Sequence, residues 1–370
     1  MRKLLVINLA VLAGLVAAAE LAAGLIAQQR GEPLALIRLA RTLKSKRTNP
    51  ARPTDSACAR QTRWTPVSPY VPEPTLGYWY RRNSRHTATI QLPAPVERMG
   101  IVGAVDQYQW TLTTGPQGER LSRPADQPRP AGPAVLLLGD SFLFGAGLSD
   151  NASLAWQLQS LLPGRAVANY AGGGFGTVHQ WLMLRDASSR GRLIPGSLQR
   201  QLRGGQVLLG HADYYLKRNV AAPSRLATFN PRCGTFQQQL ERQPDLIRAY
   251  THPQASLING AVVISQIPLF QEHRGPDPDP STQLRVTQAL VDDLIAMVRD
   301  LNATPTVLWV RGADDDPVIA QYRQQGVAVL DLRGGNARWT RDTLEPFDNH
   351  PGPLSTSQWA ARIASHLAAL

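Results

Sequence analysis

The rhythm of apolar and polar positions changes three times along the chain. Residues 4–27 (LLVINLAVLAGLVAAAELAAGLIA) are apolar except for Asn8 and Glu20. A run of that length crosses a bilayer as a helix. Arg2 and Lys3 ahead of it, with Ala17-Ala18-Ala19 inside it, also fit a cleaved signal peptide. The uncleaved anchor is preferred, because the apolar run resumes after Glu20 and only its full length makes a span. Residues 45–63 are polar, basic and aperiodic, as a tether would be. The expected organisation is therefore an anchor over 1–28 and a basic juxtamembrane tether over 29–63. Residues 64–130 mix prolines with Trp64, Trp79, Trp110 and short alternating runs such as Thr87-Ala88-Thr89-Ile90. They are expected to form a small, strand-poor accessory region packed on the main domain.

From residue 133 short apolar runs alternate with helical periodicity, the signal of a parallel sheet covered by helices. Strands are expected at Ala134–Leu138, Val167–Asn169, Gln206–Leu209, Ala261–Ser265, Thr306–Trp309 and Val327–Leu330. Ser149, Asp150 and Asn151 offer a cap to a helix whose face is Leu154, Leu158, Leu161 and Leu162. Further helices are expected around 177–187 and over a stretch spaced by Leu284, Leu290, Leu294, Val298 and Leu301. Ser355 with Gln358 reads as a capping box for a last helix with face Trp359, Ile363 and Leu367. Residues 212–258 form a long insertion without a clear period. The fold class is three-layer α/β/α with a mainly parallel sheet over residues 131–370.

Composition changes this picture little. Hydrophobic residues make up 43% and charged residues 18%, as in a globular protein rather than a disordered one. The net charge of +12 is partly local. Arg30, Arg38, Arg41, Lys44, Lys46 and Arg47 follow the apolar N-terminus, opposed only by Glu32. Basic residues beside a membrane segment read as a lipid-headgroup contact. No basic-plus-aromatic signature of a nucleic-acid module is present, and no nucleic-acid partner is expected. The catalytic portion is expected on the extracytoplasmic, periplasmic side; positive-inside counting leaves a cytoplasmic placement open. Cys58 and Cys233 could form one disulfide or remain two thiols. Neither a CxxC nor a zinc-type Cys/His spacing occurs, so no metal is expected.

In open parallel sheets, ligands bind beyond the carboxyl ends of the strands. The residues there are Gly139-Asp140-Ser141, Ala171-Gly172-Gly173-Gly174, Gly210-His211 and, before the last helix, Asp348 and His350. Acyl transfer needs a nucleophile, a base, an orienting group and donors for an oxyanion. Ser141 on a tight strand-to-helix turn suits the first and His350 the second. Asp348, two residues before His350, suits the third. A glycine run lets a backbone N–H approach a developing negative charge. Asp140, His211 and Asp213 are candidates for lining the site, with Asp140 read chiefly as a turn-holding residue. Tyr214 and Tyr215 are further candidates for the pocket wall, read chiefly as packing, His179 as structural, and Asp314-Asp315-Asp316 as a solvated acidic turn.

Gly139-Asp140-Ser141-Phe142 resembles the first block of the SGNH hydrolases, the GDSL-type lipases and esterases and related carbohydrate O-acetyltransferases. Asn169 followed by Gly174 resembles their second block, N-x-G-x-x-G, with Ala171 in place of the first glycine. Asp348-Asn349-His350-Pro351 resembles their last block. Thr75-Leu76-Gly77-Tyr78 is similar to the lead-in of membrane-linked members. The resemblance spans residues 133–370. It implies an SGNH/flavodoxin-like sheet, catalytic Ser141, His350 and Asp348, oxyanion donors at the Ser141 and Gly174 N–H groups, and no cofactor. Two departures stand out. The third block, usually G-x-N-D, reads Gly210-His211-Ala212-Asp213, so its asparagine donor is missing, with His211 as a candidate substitute. Phe347 sits where a D-x-x-H block has its acid; Asp348 takes the D-x-H spacing, with Glu345 in reserve.

The expectation is a membrane-anchored serine esterase or O-acyltransferase. Its partners would be an ester-bearing small molecule, an acylated envelope glycan or a lipid. The alternative is an SGNH scaffold, impaired by Ala212, that binds an envelope glycan or a partner protein.

Overall fold

The computed structural model describes residues 69–91, 107–189, 192–229, 248–271, 273–333, 344 and 350–370. The expected anchor and tether, Cys58, Cys233, Glu345, Phe347 and Asp348 lie outside them. Among the described residues no helix is long and apolar enough to cross a membrane.

Two antiparallel hairpins come first. Tyr70–Glu73 (β1) pairs with Gly77–Tyr80 (β2), and Arg85–Gln91 (β3) pairs with Gln107–Thr113 (β4). The region before residue 130 is thus richer in strand than its prolines suggest. The consecutive aromatics of Gly77–Tyr80 and the alternating apolar and polar positions of Gln107–Thr113 outweigh them. Tyr78, Trp79, Tyr80, Trp110 and Leu112 belong to the same buried core as the central sheet.

That sheet has five strands. Ala134–Leu138 (β5) leads into a one-turn helix, Ser141–Phe144 (α1), and then Leu154–Leu161 (α2). Ala166–Asn169 (β6) is followed by Thr177–Ser189 (α3) and Gly196–Leu202 (α4). Gln206–Ala212 (β7) runs into Tyr215–Asn219 (α5) and Pro223–Leu226 (α6). Thr251–Ile258 (β8) and Ala261–Pro268 (β9) form a third hairpin. Pro280–Asp300 (α7), Thr304–Arg311 (β10), Pro317–Gln324 (α8), Ala328–Asp331 (β11) and Pro353–Ala368 (α9) complete the chain. The sheet order is β6-β5-β7-β10-β11, every pair parallel. This doubly wound order reverses direction between β5 and β7, which opens a crevice at their carboxyl ends. Helix α2 packs against α9, and α3 against α7. Every residue of β5 and of β7 is buried, the pattern of strands covered on both faces.

Three local expectations are corrected. Ala261–Ser265 is not a sheet strand; it belongs to the β8–β9 hairpin, closed by Asn259 and Gly260, both at positive φ. An Asn-Gly pair between alternating runs is the hairpin signal, and β9 alternates in exposure as a two-faced strand should. Helix α2 is capped by Ser153, whose side chain accepts from the Trp156 N–H, while Asp150–Ala152 makes a separate 3₁₀ turn. Helix α9 begins one turn before the supposed capping box, with Gly352 as cap and Pro353 in its first turn. Proline needs no N–H partner there. Its buried face does contain Trp359, Ile363 and Leu367.

Candidate active site

The turn after β5 is held from several directions. Asp140 is the N-cap of α1 and accepts from the Phe142 N–H at 3.0 Å. Gly139 sits so close to α1 that a Cβ there would lie 2.6 Å from Leu143 Cδ1. The Gly139 carbonyl accepts from the Gly172 N–H at 3.0 Å, tying the first turn to the glycine run after β6. Asn169 reinforces the tie. Its Oδ1 accepts from the Ala171 N–H at 3.0 Å, and its Nδ2 donates to the Leu143 carbonyl at 3.2 Å. Beyond α1, the buried Arg120 guanidinium donates to the carbonyls of Phe144, Gly145 and Leu148 at 2.9, 2.5 and 2.5 Å. These orphan carbonyls at a helix end need such partners.

Ser141 opens this helix, and its Oγ lies 2.8 Å from His350 Nε2. The ring of His350 stands edge-on to Phe142, centroids 5.2 Å apart, and its carbonyl accepts from the Leu344 N–H at 3.0 Å. The two residues are 209 positions apart in sequence. A hydroxyl and an imidazole within hydrogen-bond reach form the nucleophile–base pair of acyl transfer. Both line one cavity of about 820 Å³. Its wall continues over Gly173, Gly174 and the aromatic residues Tyr70, Tyr78, Trp110 and Phe229.

Gly174 has φ +82°, and a Cβ there would lie 2.6 Å from Tyr78 Oη and 2.9 Å from Phe229 Cζ. Only glycine fits such a place without strain. The loop is fixed by Tyr78, whose hydroxyl donates to the Gly173 carbonyl at 2.8 Å, and by Tyr80, whose hydroxyl accepts from the Gly173 N–H at 3.1 Å. Behind it, the Gly176 N–H donates to His179 Nδ1 at 3.1 Å, and the His179 ring stacks on Phe175 at 4.0 Å. His179 is thus part of the loop's support. Burial, then the neighbouring His252, drives its pKa well below the usual imidazole value.

Three residues expected at the site wall do not line the cavity. Asp140 is fully buried beneath the turn, where its Oδ2 accepts from the Tyr214 hydroxyl and lies 3.3 Å from Arg218. His211 points into the core: its Nε2 lies 2.9 Å from Asp316 Oδ2, so it does not stand in for the missing asparagine. Asp213 lies beside Arg311, 3.5 Å from its Nε. Ala212 is completely enclosed. Asp316, read from sequence as part of a solvated turn, is the N-cap of α8 and accepts from the Val318 and Ile319 N–H groups. Burial opposes its ionisation, but the bonds from His211 and these amides outweigh that and hold its pKa down.

Sequence reasoning overlooked Arg218 and read Tyr214, a candidate for the pocket wall, chiefly as packing. Tyr214 and Arg218, four residues apart at the start of α5, both face the cavity and converge on Asp140. Their spacing was the available signal. Burial and the Asp140 charge push the Tyr214 pKa far up, so its hydroxyl remains a donor. The hairpins before residue 130 supply Tyr70, Tyr78, Tyr80, Trp110 and Leu112, a large share of the wall.

No family model matches the chain, and no curated protein matches it. Among solved structures, a protein assigned to the G-D-S-L lipolytic family from Desulfitobacterium hafniense DCB-2 is similar at 13% identity. That match has a TM-score of 0.33 and covers 63% of this chain and 98% of the other. LAE5, an alpha/beta hydrolase enzyme from the metagenome of Lake Arreo, Spain, is similar at 12% identity. Its TM-score is 0.35, over 65% of this chain and 96% of the other. At such distances, the site's own geometry has to carry the functional argument.

Proposed function

We propose that the chain is a serine-dependent ester hydrolase or O-acyltransferase of the SGNH, GDSL-type class. One observation carries the reading: Ser141 Oγ and His350 Nε2 lie 2.8 Å apart at the wall of a largely apolar cavity. In this reading Ser141 Oγ attacks the ester carbonyl while His350 takes its proton. The Ser141 and Gly174 N–H groups stabilise the oxyanion, and His350 returns the proton to the departing alcohol. Water, or the hydroxyl of an acceptor sugar, then cleaves the acyl-enzyme with His350 again as base. Asp348 is proposed to orient His350. With residues 4–27 as a membrane anchor and an extracytoplasmic catalytic portion, an acylated envelope glycan or lipid is the proposed substrate.

The test is turnover of short-chain 4-nitrophenyl esters by the wild type and by Ser141→Ala. Loss of a triad serine costs on the order of 10³-fold or more, and that loss is expected. A folded wild type that hydrolyses none of these esters, and transfers no acyl group to a sugar acceptor, would replace this reading with a binding scaffold. That alternative already has the absent asparagine at Ala212 in its favour.

A further inference from the structure

The cavity that holds Ser141 and His350 is lined by three arginines, Arg218, Arg225 and Arg311, and by no carboxylate among the described residues. Their charges are not equally answered. Arg218 lies 3.3 Å from Asp140, donates to the Phe175 carbonyl at 2.6 Å and stacks over the Tyr214 ring at 4.2 Å. Arg311 is half exposed and 3.5 Å from Asp213. Arg225 differs. Its Nη1 donates to the Thr228 hydroxyl at 2.8 Å, and its guanidinium lies over the Phe229 ring at 4.5 Å. Its Nε is buried without a hydrogen-bond partner, and no carboxylate of the described residues is within ion-pair distance.

A half-buried guanidinium with its Nε shut away from water is costly unless something anionic answers it. Burial and the nearby Arg218 lower its pKa to about 10, so it still carries its charge at neutral pH. The Phe229 ring and Thr228 hold the guanidinium in place, and a guanidinium is the side chain best shaped to take a carboxylate or phosphate in two parallel hydrogen bonds. The rest of the wall, including Tyr70, Tyr78, Trp110, Leu112 and Phe270, suits an apolar body.

We propose that the ester taken by this cavity carries an anionic group, a carboxylate or a phosphate, seated against Arg225, with its apolar portion along the aromatic wall. The reaction assumed here rests on the serine-hydrolase reading above; the anion site itself does not.

Two measurements separate these. The first compares mono-(4-nitrophenyl) succinate with 4-nitrophenyl butyrate, acyl groups of similar length with and without a distal carboxylate. The wild type is expected to favour the succinate at least ten-fold in kcat/KM at low ionic strength, and the preference should fall as salt is added. Arg225→Gln should reduce that ratio at least ten-fold, and Arg225→Lys should retain part of it. The second is calorimetric binding of octyl phosphate, octanoate and octanamide to Ser141→Ala. At least one anion should bind ten-fold tighter than octanamide, and adding Arg225→Gln should remove the difference. Whichever anion depends more on Arg225 identifies the group. Equal kcat/KM for the two esters, together with anion binding indifferent to Arg225→Gln, would overturn the inference and leave the hydrolase reading standing. Arg225-dependent anion binding without turnover of either ester would sustain the site and remove the hydrolase. Melting temperatures of the Arg225 variants within a few degrees of the wild type establish that the comparisons are made on folded protein.

Discussion

The carboxyl ends of β5 and β7 lie side by side in the sheet, and the motif residues there have opposite fates. After β5 the chain reads Gly-Asp-Ser, and the serine emerges at the cavity, bonded to His350. β7 itself ends in Gly-His-Ala ahead of Asp213, and its histidine turns inward to Asp316 while its alanine is sealed in the core. Each histidine has a close polar partner, at 2.8 and 2.9 Å, so partner distance alone does not separate them. What separates them is access. His350 lines the cavity, whereas His211 is 1% exposed and its partner is a helix cap. A motif residue at the carboxyl end of a parallel strand is therefore a candidate only; whether it meets the cavity decides its chemistry.

The strongest way to break this comparison is to remove each histidine in turn. His350→Ala is expected to lower kcat/KM by on the order of 10³-fold or more, with melting little changed. His211→Ala should leave turnover within a few-fold. It leaves Asp316 Oδ2 without its partner, at about 1–3 kcal/mol, which a thermal melt would register as a drop of several degrees. Comparable activity losses in the two variants would remove the distinction.

Next in size is Gly174→Ala. Its Cβ would press on Tyr78 and Phe229 at a positive φ, displacing the proposed oxyanion donor. A loss of about 10²–10³-fold in kcat is expected, with a smaller effect on KM. An effect confined to stability would mean that the loop serves only packing.

The support behind that loop should show itself in pH dependence. His252 is buried and its pKa is pushed down to about 3, chiefly by burial; His179 is lowered as well. In the unfolded chain both titrate near about 6.5. Below that value the unfolded chain binds protons that the fold refuses, so stability is complete above about pH 6.5 and declines toward pH 3. Each histidine contributes at most about 1.4 kcal/mol per pH unit in that window. The melting temperature of His252→Gln should accordingly fall less steeply than that of the wild type between pH 6.5 and 4.

The smallest expected effect sharpens the closed end of β7. Ala212→Asn restores the usual third-block residue, but the side chain would enter a sealed space. No gain in kcat is expected, together with a loss of about 1–3 kcal/mol in stability. A gain of ten-fold or more would show that this strand end still addresses the site.

The sequence made the sheet and the open turn legible because both depend on local chemistry. Buried runs such as Ala134–Leu138 announce covered parallel strands, and a glycine-led Asp-Ser before a helix announces a cramped turn. The partnership of Ser141 with a histidine 209 residues away was legible only through motif order, since nothing local encodes it. The inward turn of His211 could not be read, because its cause is Asp316, 105 residues further on in α8. The cavity's aromatic wall escaped notice for a related reason. Tyr78 and Trp110 sit in a stretch read as strand-poor, and only the two hairpins of the fold bring them to the cavity wall.

The most direct test of the account is fluorophosphonate labelling, with the adduct located by peptide mass spectrometry in the wild type and in His350→Ala. Such probes report a serine activated by a base. The account predicts a single adduct on Ser141, formed at least about 10²-fold more slowly once His350 is gone. An adduct on another serine, equal rates in the two proteins, or no labelling of folded wild type would contradict it.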